Sequence, residues 1–198
     1  MKKINLIIGL LAALILGGCN KDESAASSGI DSKVIIGEIF RAGMAWNEDV
    51  KSMEALKSTY PINIGVDHTL YGPEGGVIHV LGSVTGSMSI DDQTGSIQSG
   101  FMQLGLTETI NDYTMIYNGN TYTMDGAPYI SLTGTFTLAP GGTTFGTASS
   151  MQIGGGFRVT GPGLDQTINI QLTIIINADG SGGHVSGTYG GEGVDYTF

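Results

Sequence analysis

From residue 62 to the end of the chain, apolar and polar positions alternate. Ile78, Val80, Gly82, Val84, Gly86, Met88 and Ile90 share one parity, with His79, Ser83, Thr85, Ser87 and Ser89 on the other and Leu81 as the exception. The same alternation runs through Ile130, Leu132, Gly134, Phe136 and Leu138, and through Ile168, Ile170, Leu172, Ile174 and Ile176. Successive side chains of a strand point to opposite faces, so these segments predict antiparallel strands with one buried face.

Turn chemistry separates the strands at regular spacing: Gly72-Pro73-Glu74-Gly75-Gly76, Asp91-Asp92-Gln93-Thr94-Gly95, Asn118-Gly119, Asp125-Gly126-Ala127-Pro128, Ala139-Pro140-Gly141-Gly142, Gly154-Gly155-Gly156 and Asn177-Ala178-Asp179-Gly180. Asn118-Gly119, between Met115-Ile116-Tyr117 and Tyr122-Thr123-Met124, is a strong tight-hairpin signal. Connections this short leave no room for helical crossovers, so a meander is expected. Three segments resemble one another: Val84-Thr85-Gly86-Ser87, Leu132-Thr133-Gly134-Thr135 and Val185-Ser186-Gly187-Thr188. A glycine on the apolar face of each predicts a bend or a close backbone approach, the device by which a sheet coils towards closure. A flat sheet of about ten strands would leave long exposed edges.

Two segments precede this region. Residues 33–40, with Val34, Ile35, Ile36 and Ile39, are β-branched and predict a first strand. Asn47 is placed to cap a helix whose first turn holds Glu48 and Asp49, with Trp46, Val50, Met53 and Leu56 on its apolar stripe and Pro61 ending it. The expected fold class is therefore all-β: a mainly antiparallel meander forming a coiled sheet or barrel-like domain, with one short helix near the N-terminus.

At the start of the chain, Lys2 and Lys3 precede an apolar run, residues 4–16, in which only Asn5 is polar. This fits the charged and apolar regions of a secretory signal and is too short for a comfortable membrane span. The run closes on Leu16-Gly17-Gly18-Cys19, and Cys19 is the single cysteine of the chain. That ending resembles the lipobox of bacterial lipoproteins, in which a branched apolar residue and two small ones precede an obligatory cysteine. The resemblance implies cleavage before Cys19, a diacylglycerol on its thiol and an acylated new amino terminus. Each buried methylene contributes about 0.8 kcal/mol, and two or three acyl chains hold a membrane stably where one does not. The expected organisation is a cleaved signal peptide over residues 1–18, a lipidated flexible tether over 19–32, rich in Ser, Ala and Gly, and a single β-rich domain over 33–198.

The resemblance extends to delivery. Asn20 is not the aspartate that resembles an inner-membrane retention signal, so outer-membrane anchoring is expected, on the periplasmic side or the cell surface. In a host with a single membrane, the expectation is the outer face of the plasma membrane. Lys21-Asp22-Glu23 resembles the signal that places some lipoproteins on the cell surface, and it also reads as a solvated start to a tether.

Charge narrows the partners. The chain carries 18 acidic and 8 basic residues; removing Lys2 and Lys3 leaves 6 minus 18, or −12. From Thr59 onward Arg158 is the only basic residue, against 11 acidic ones. Such a surface repels phosphate, so nucleic acid and anionic headgroups are poor partners. With Cys19 lipidated, no cysteine remains for an intramolecular disulfide, and stability must come from packing and sheet hydrogen bonds.

Candidate chemistry beyond Cys19 is thin. His68, His79 and His184 have no second histidine or cysteine at ligand spacing, and Asp67 beside His68 points to the opposite face of a strand. The stretch Asn177-Ala178-Asp179-Gly180-Ser181-Gly182 is similar to the start of a calcium loop, but the place of its closing glutamate falls on Thr188. It reads as a hairpin turn, and Asp91-Asp92 has the same status. There is no nucleophile elbow, no phosphate loop before a helix and no zinc-protease helix. The expectation is no enzyme activity, no cofactor and no metal.

Three roles are consistent with these patterns. The first is a non-catalytic structural or interaction module tethered to the membrane through Cys19. The second is a carrier of a small apolar ligand inside a lipocalin-like coiled sheet, since the inward Gly82, Gly86, Gly134 and Gly187 could leave a cavity. The third is an integral outer-membrane barrel, because Gly193-Val194-Asp195-Tyr196-Thr197-Phe198 resembles the terminal signal of that family.

Overall fold

The computed structural model describes residues 30–45, 59–91, 93–94, 96–126, 129–140, 149–178 and 182–198. The helix expected after Asn47 lies outside them, as do parts of the turns at 92, 95, 127–128, 141–148 and 179–181.

The expected first strand is instead a helix, α1, spanning Ser32–Met44. Asp31 caps it: its side chain accepts a 2.8 Å hydrogen bond from the Lys33 N–H, satisfying one of the free donors of the first turn. Ile35, Ile36, Ile39 and Phe40 then recur with helical spacing, and all four are buried. The β-branched residues at 34–36 cost only a few tenths of a kcal/mol each in helix propensity. Burying four large apolar side chains outweighs that by several kcal/mol. Ile30 is also buried, so the packed core reaches three residues further upstream than position 33.

Ten strands follow: β1 Thr59–Tyr71, β2 Val77–Ile90, β3 Ile97–Asn111, β4 Tyr113–Tyr117, β5 Asn120–Asp125, β6 Ile130–Leu138, β7 Ser150–Gly161, β8 Leu164–Ile176, β9 Gly183–Tyr189 and β10 Glu192–Thr197. All pairings are antiparallel and form one sheet in the order β1-β2-β3-β6-β7-β8-β9-β10. The meander is broken once, by the β4–β5 hairpin, which turns at Asn118-Gly119 with both residues at positive φ, 51° and 76°. β5 joins the sheet through the far end of β7. Pro61 lies in β1, an edge strand where its missing N–H is tolerated.

The sheet is coiled but not closed into a barrel; β1 and β10 are the two ends of its main path, and β4 is a third edge at the end of the β4–β5 branch. Gly86 and Gly187 supply part of the bending. They sit at φ 155° and 138°, and a Cβ on either would stand 2.0 Å from a carbonyl oxygen of the neighbouring strand, Phe101 or Gln171. The inward positions match the alternation: Ile78, Val80 and Val84 on β2, Leu132 and Phe136 on β6, Ile170, Leu172 and Ile174 on β8 are all buried. Leu81 breaks the pattern because it faces outward, 45% exposed.

Helix α1 lies inside this curve. Near its start, Lys33 Nζ is 5.0 Å from the centre of the Tyr196 ring on β10. Near its end, Gly43 packs on Leu132 of β6 and Glu108 of β3. A helix buried on nearly every side from Ile35 to Met44 is what a concave apolar sheet requires, and α1 fills that role.

Candidate functional site

Two places in the structure concentrate polar chemistry, one inside the sheet and one outside. The inner one is built where α1 meets β3, β4 and β6. Glu108 is an inward position of β3, following Leu104 and Leu106, and it is completely buried with no hydrogen-bond partner for either carboxyl oxygen. Its neighbours across the ladder are Val80 and Ile130. Burial pushes its pKa well above the usual carboxylate range, and the Gly43 N–H, outside good hydrogen-bond geometry, relieves this only in part. Burial therefore favours its neutral form.

Earlier in the same helix, Arg41 Nη2 donates to the Tyr113 hydroxyl at 2.6 Å, that hydroxyl donates to Glu38 Oε2 at 2.6 Å, and Arg41 also pairs directly with Glu38. Burial and the Glu38 carboxylate raise the Tyr113 pKa, so the phenol stays neutral and donates. At the helix start, burial pushes Tyr196 up to about 12, with Asp31 adding to the effect. Arg41, Tyr113 and Glu38 are committed to one another and tie α1 to β4.

The outer face differs in kind. Across β1, β2, β3, β6 and β7, outward positions align in register: Gly65, Ser83, Gly105, Thr133 and Gln152 form one transverse row, and Asn63, Thr85, Gln103, Thr135 and Ser150 the next. Ser83, Thr85, Gln103, Gly105, Thr133, Thr135, Ser150 and Gln152 line a groove of about 460 Å³. That volume falls within the ~300–1,000 Å³ of small-molecule sites. Gly105 makes the trough: a Cβ there would meet nothing within 4 Å. Leu104, Gly134 and Met151 also contribute to the lining, which otherwise carries hydroxyls and carboxamides and no charge.

Charges on this face gather towards the sheet margins. His79 Nε2 is 2.8 Å from Asp67 Oδ1 across β1 and β2, and His184 Nε2 is 2.9 Å from Asp195 Oδ1 across β9 and β10. Asp67 thus meets a histidine on the neighbouring strand, not its sequence neighbour His68, which lies on β1 with a partner of its own. Arg158 and Asp165 form a two-pronged pair, both contacts 2.7 Å, near the β7–β8 turn. These pairs are exposed and contribute little to stability.

The remaining sequence candidates resolve into turns. The Asp91 carboxylate accepts from the Gln93 and Thr94 N–H groups, and these bonds, Thr94 foremost, hold its pKa below the ordinary value. Asn177 N–H donates to the Gly182 carbonyl at 2.9 Å, so this stretch closes as a hairpin turn. Among the described residues, no three His, Cys, Asp or Glu side chains come together as a metal site. No helix among them is long and apolar enough to cross a membrane. Cys19 lies outside the described residues. Neither Glu108 nor the outer groove was visible to sequence reasoning, although the parity of Glu108 between Leu106 and Ile110 marks it as an inward carboxyl. Comparison with protein-family models, with curated proteins and with solved structures gives no match.

Proposed function

We propose that the chain is an exported lipoprotein, held at the outer membrane by lipid on Cys19 and presenting its β domain as a non-catalytic binding module. The observation that carries this reading is the closing of an apolar run on Leu16-Gly17-Gly18-Cys19. Ten residues lie between Cys19 and Ile30, the first core residue described, and they can extend to at most about 35 Å. Tethered so, the domain stays next to the membrane.

The use of the two sheet faces favours a surface-binding module over the alternatives. The concave face is filled by α1, where a carrier would hold its apolar ligand. The opposite face is hydroxyl- and amide-rich at the positions where a membrane-spanning barrel needs an apolar band. The test is mass spectrometry of membrane extracts: Cys19 is expected to be diacylated, and a Cys19→Ala form should leave the membrane fraction. A Cys19→Ala protein that stays equally membrane-bound would overturn the anchoring.

A further inference from the structure

We infer that the outer groove binds an uncharged glycan chain, laid across strands β2, β3, β6 and β7. The ligand class follows from the chemistry of the lining. Ser83, Thr85, Thr133, Thr135 and Ser150 each offer a hydroxyl that donates and accepts, and Gln103 and Gln152 each offer an amide that does both. A sugar presents the same mixture around its ring edge, so such a floor satisfies it in several orientations. Among the described residues none of these side chains is engaged in a hydrogen bond with another side chain, and Thr85, Gln103, Thr133 and Gln152 are exposed. Their hydrogen-bonding capacity is open to a ligand.

The second observation is apolar. A sugar ring also has C–H faces that pack on flat apolar groups, best on an aromatic ring. Phe101, 40% exposed, stands on the outer face of β3 two residues from Gln103. Leu81, 45% exposed, stands two residues from Ser83 on β2, on the side of the groove opposite Phe101, and Ile175, 48% exposed, lies directly across from Ser150. Three of the large apolar side chains that the fold leaves in solvent therefore flank this one uncharged groove.

Electrostatics selects among polymers. The chain is strongly acidic, yet the groove has no charged lining residue, and the nearest ion pairs sit towards the sheet margins. An anionic polysaccharide or a nucleic acid would be repelled by the surrounding field and would find no counter-charge in the groove. A neutral glycan avoids both costs. The four lining strands are each paired on both sides, so the backbone of the site needs no ordering on binding, and the entropic cost falls on the ligand and on the exposed lining side chains.

The test uses the full chain, extracted in a detergent whose headgroup carries no sugar, and calorimetric titration with uncharged oligosaccharides of cellulose, amylose, laminarin and mannan types. Hyaluronan and alginate oligomers are titrated alongside. Expected is saturable binding of at least one uncharged oligomer and none of the anionic ones. Phe101→Ser, which removes the ring, and Gly105→Val, whose added side chain enters the open trough, should each weaken binding at least about tenfold. Thr167→Ala, exposed on β8 outside the groove, should bind as the parent does. Gln103→Glu, at an exposed position that tolerates a charge, gives the same reading should either variant lose its unfolding transition. The proposal is overturned by absence of binding at millimolar concentration, by equal or tighter binding of the anionic oligomers, or by groove variants that bind like the parent. Since the titration does not depend on the lipid, its failure and a failure of the anchoring are separate results.

Discussion

Gly43 of α1 lies against the buried carboxyl of Glu108 on β3, so closely that a Cβ at position 43 would stand 2.8 Å from Glu108 Oε1 and 2.4 Å from Leu132 Cδ2. The helix and sheet meet there backbone to side chain. Replacing a helical glycine by alanine ordinarily gains up to about 1 kcal/mol. Here the sign should reverse: Gly43→Ala forces the helix off the sheet or the side chains off their rotamers, and a loss of about 1–3 kcal/mol is expected. Urea unfolding of parent and variant measures it.

The same contact makes stability depend on pH. An unfolded glutamate titrates near 4.3, whereas burial raises the folded value of Glu108 well above the usual range. The folded state thus binds the proton more tightly, and stability from this group is complete below the unfolded value. It is lost at about 1.4 kcal/mol per pH unit as pH rises from there towards the folded pKa. Glu108→Gln keeps the shape and cannot ionise. Above about pH 4.5 the variant is expected to gain on the parent as pH rises towards the folded pKa, read as diverging urea midpoints. A constant offset across that range would contradict the buried neutral acid.

How much of this was legible depends on whether a feature is local. The alternation of Ile168, Ile170, Leu172, Ile174 and Ile176 gives a strand with its buried face directly, and the Asn118-Gly119 turn gives a hairpin, because both are set by neighbouring residues. Residues 33–40 mislead for a local reason too: Val34, Ile35 and Ile36 favour strands on propensity, while the decisive signals, the Asp31 cap and the recurrence to Ile39 and Phe40, act over a longer window. The groove could not be read at all. It depends on β3 lying beside β6 after the β4–β5 excursion and on a register that aligns Ser83, Gly105, Thr133 and Gln152, four residues from four strands.

Tyr113 anchors the other side of α1, and its hydroxyl is the only part of it that a phenylalanine would lack. Tyr113→Phe removes two 2.6 Å hydrogen bonds to charged groups, but Glu38 and Arg41 retain each other and are 22% and 37% exposed. Water therefore takes up part of the loss, and about 1 kcal/mol of destabilisation is expected rather than the larger cost of stranding a buried charge. A double-mutant cycle with Arg41→Met isolates the pair. A coupling near zero would mean that packing of the ring, not its hydroxyl, holds the helix.

Two outward- and inward-facing glycines should respond oppositely to the same substitution. Gly187 has φ 138°, and a Cβ there would lie 2.0 Å from the Gln171 carbonyl oxygen, a backbone atom that cannot move without breaking the β8–β9 ladder. Gly105 has open space around its missing side chain and an ordinary strand conformation. Alanine at 187 must unbend the sheet where it coils, so a loss of about 3 kcal/mol or more is expected, with the edge strand β10 loosening first. Alanine at 105 restricts the unfolded chain at no steric cost and should gain a few tenths to about 1 kcal/mol. Chemical unfolding of the two variants, with hydrogen exchange of β9 and β10 amides, gives both signs. Equal effects would mean that the curvature does not rest on the inward glycines.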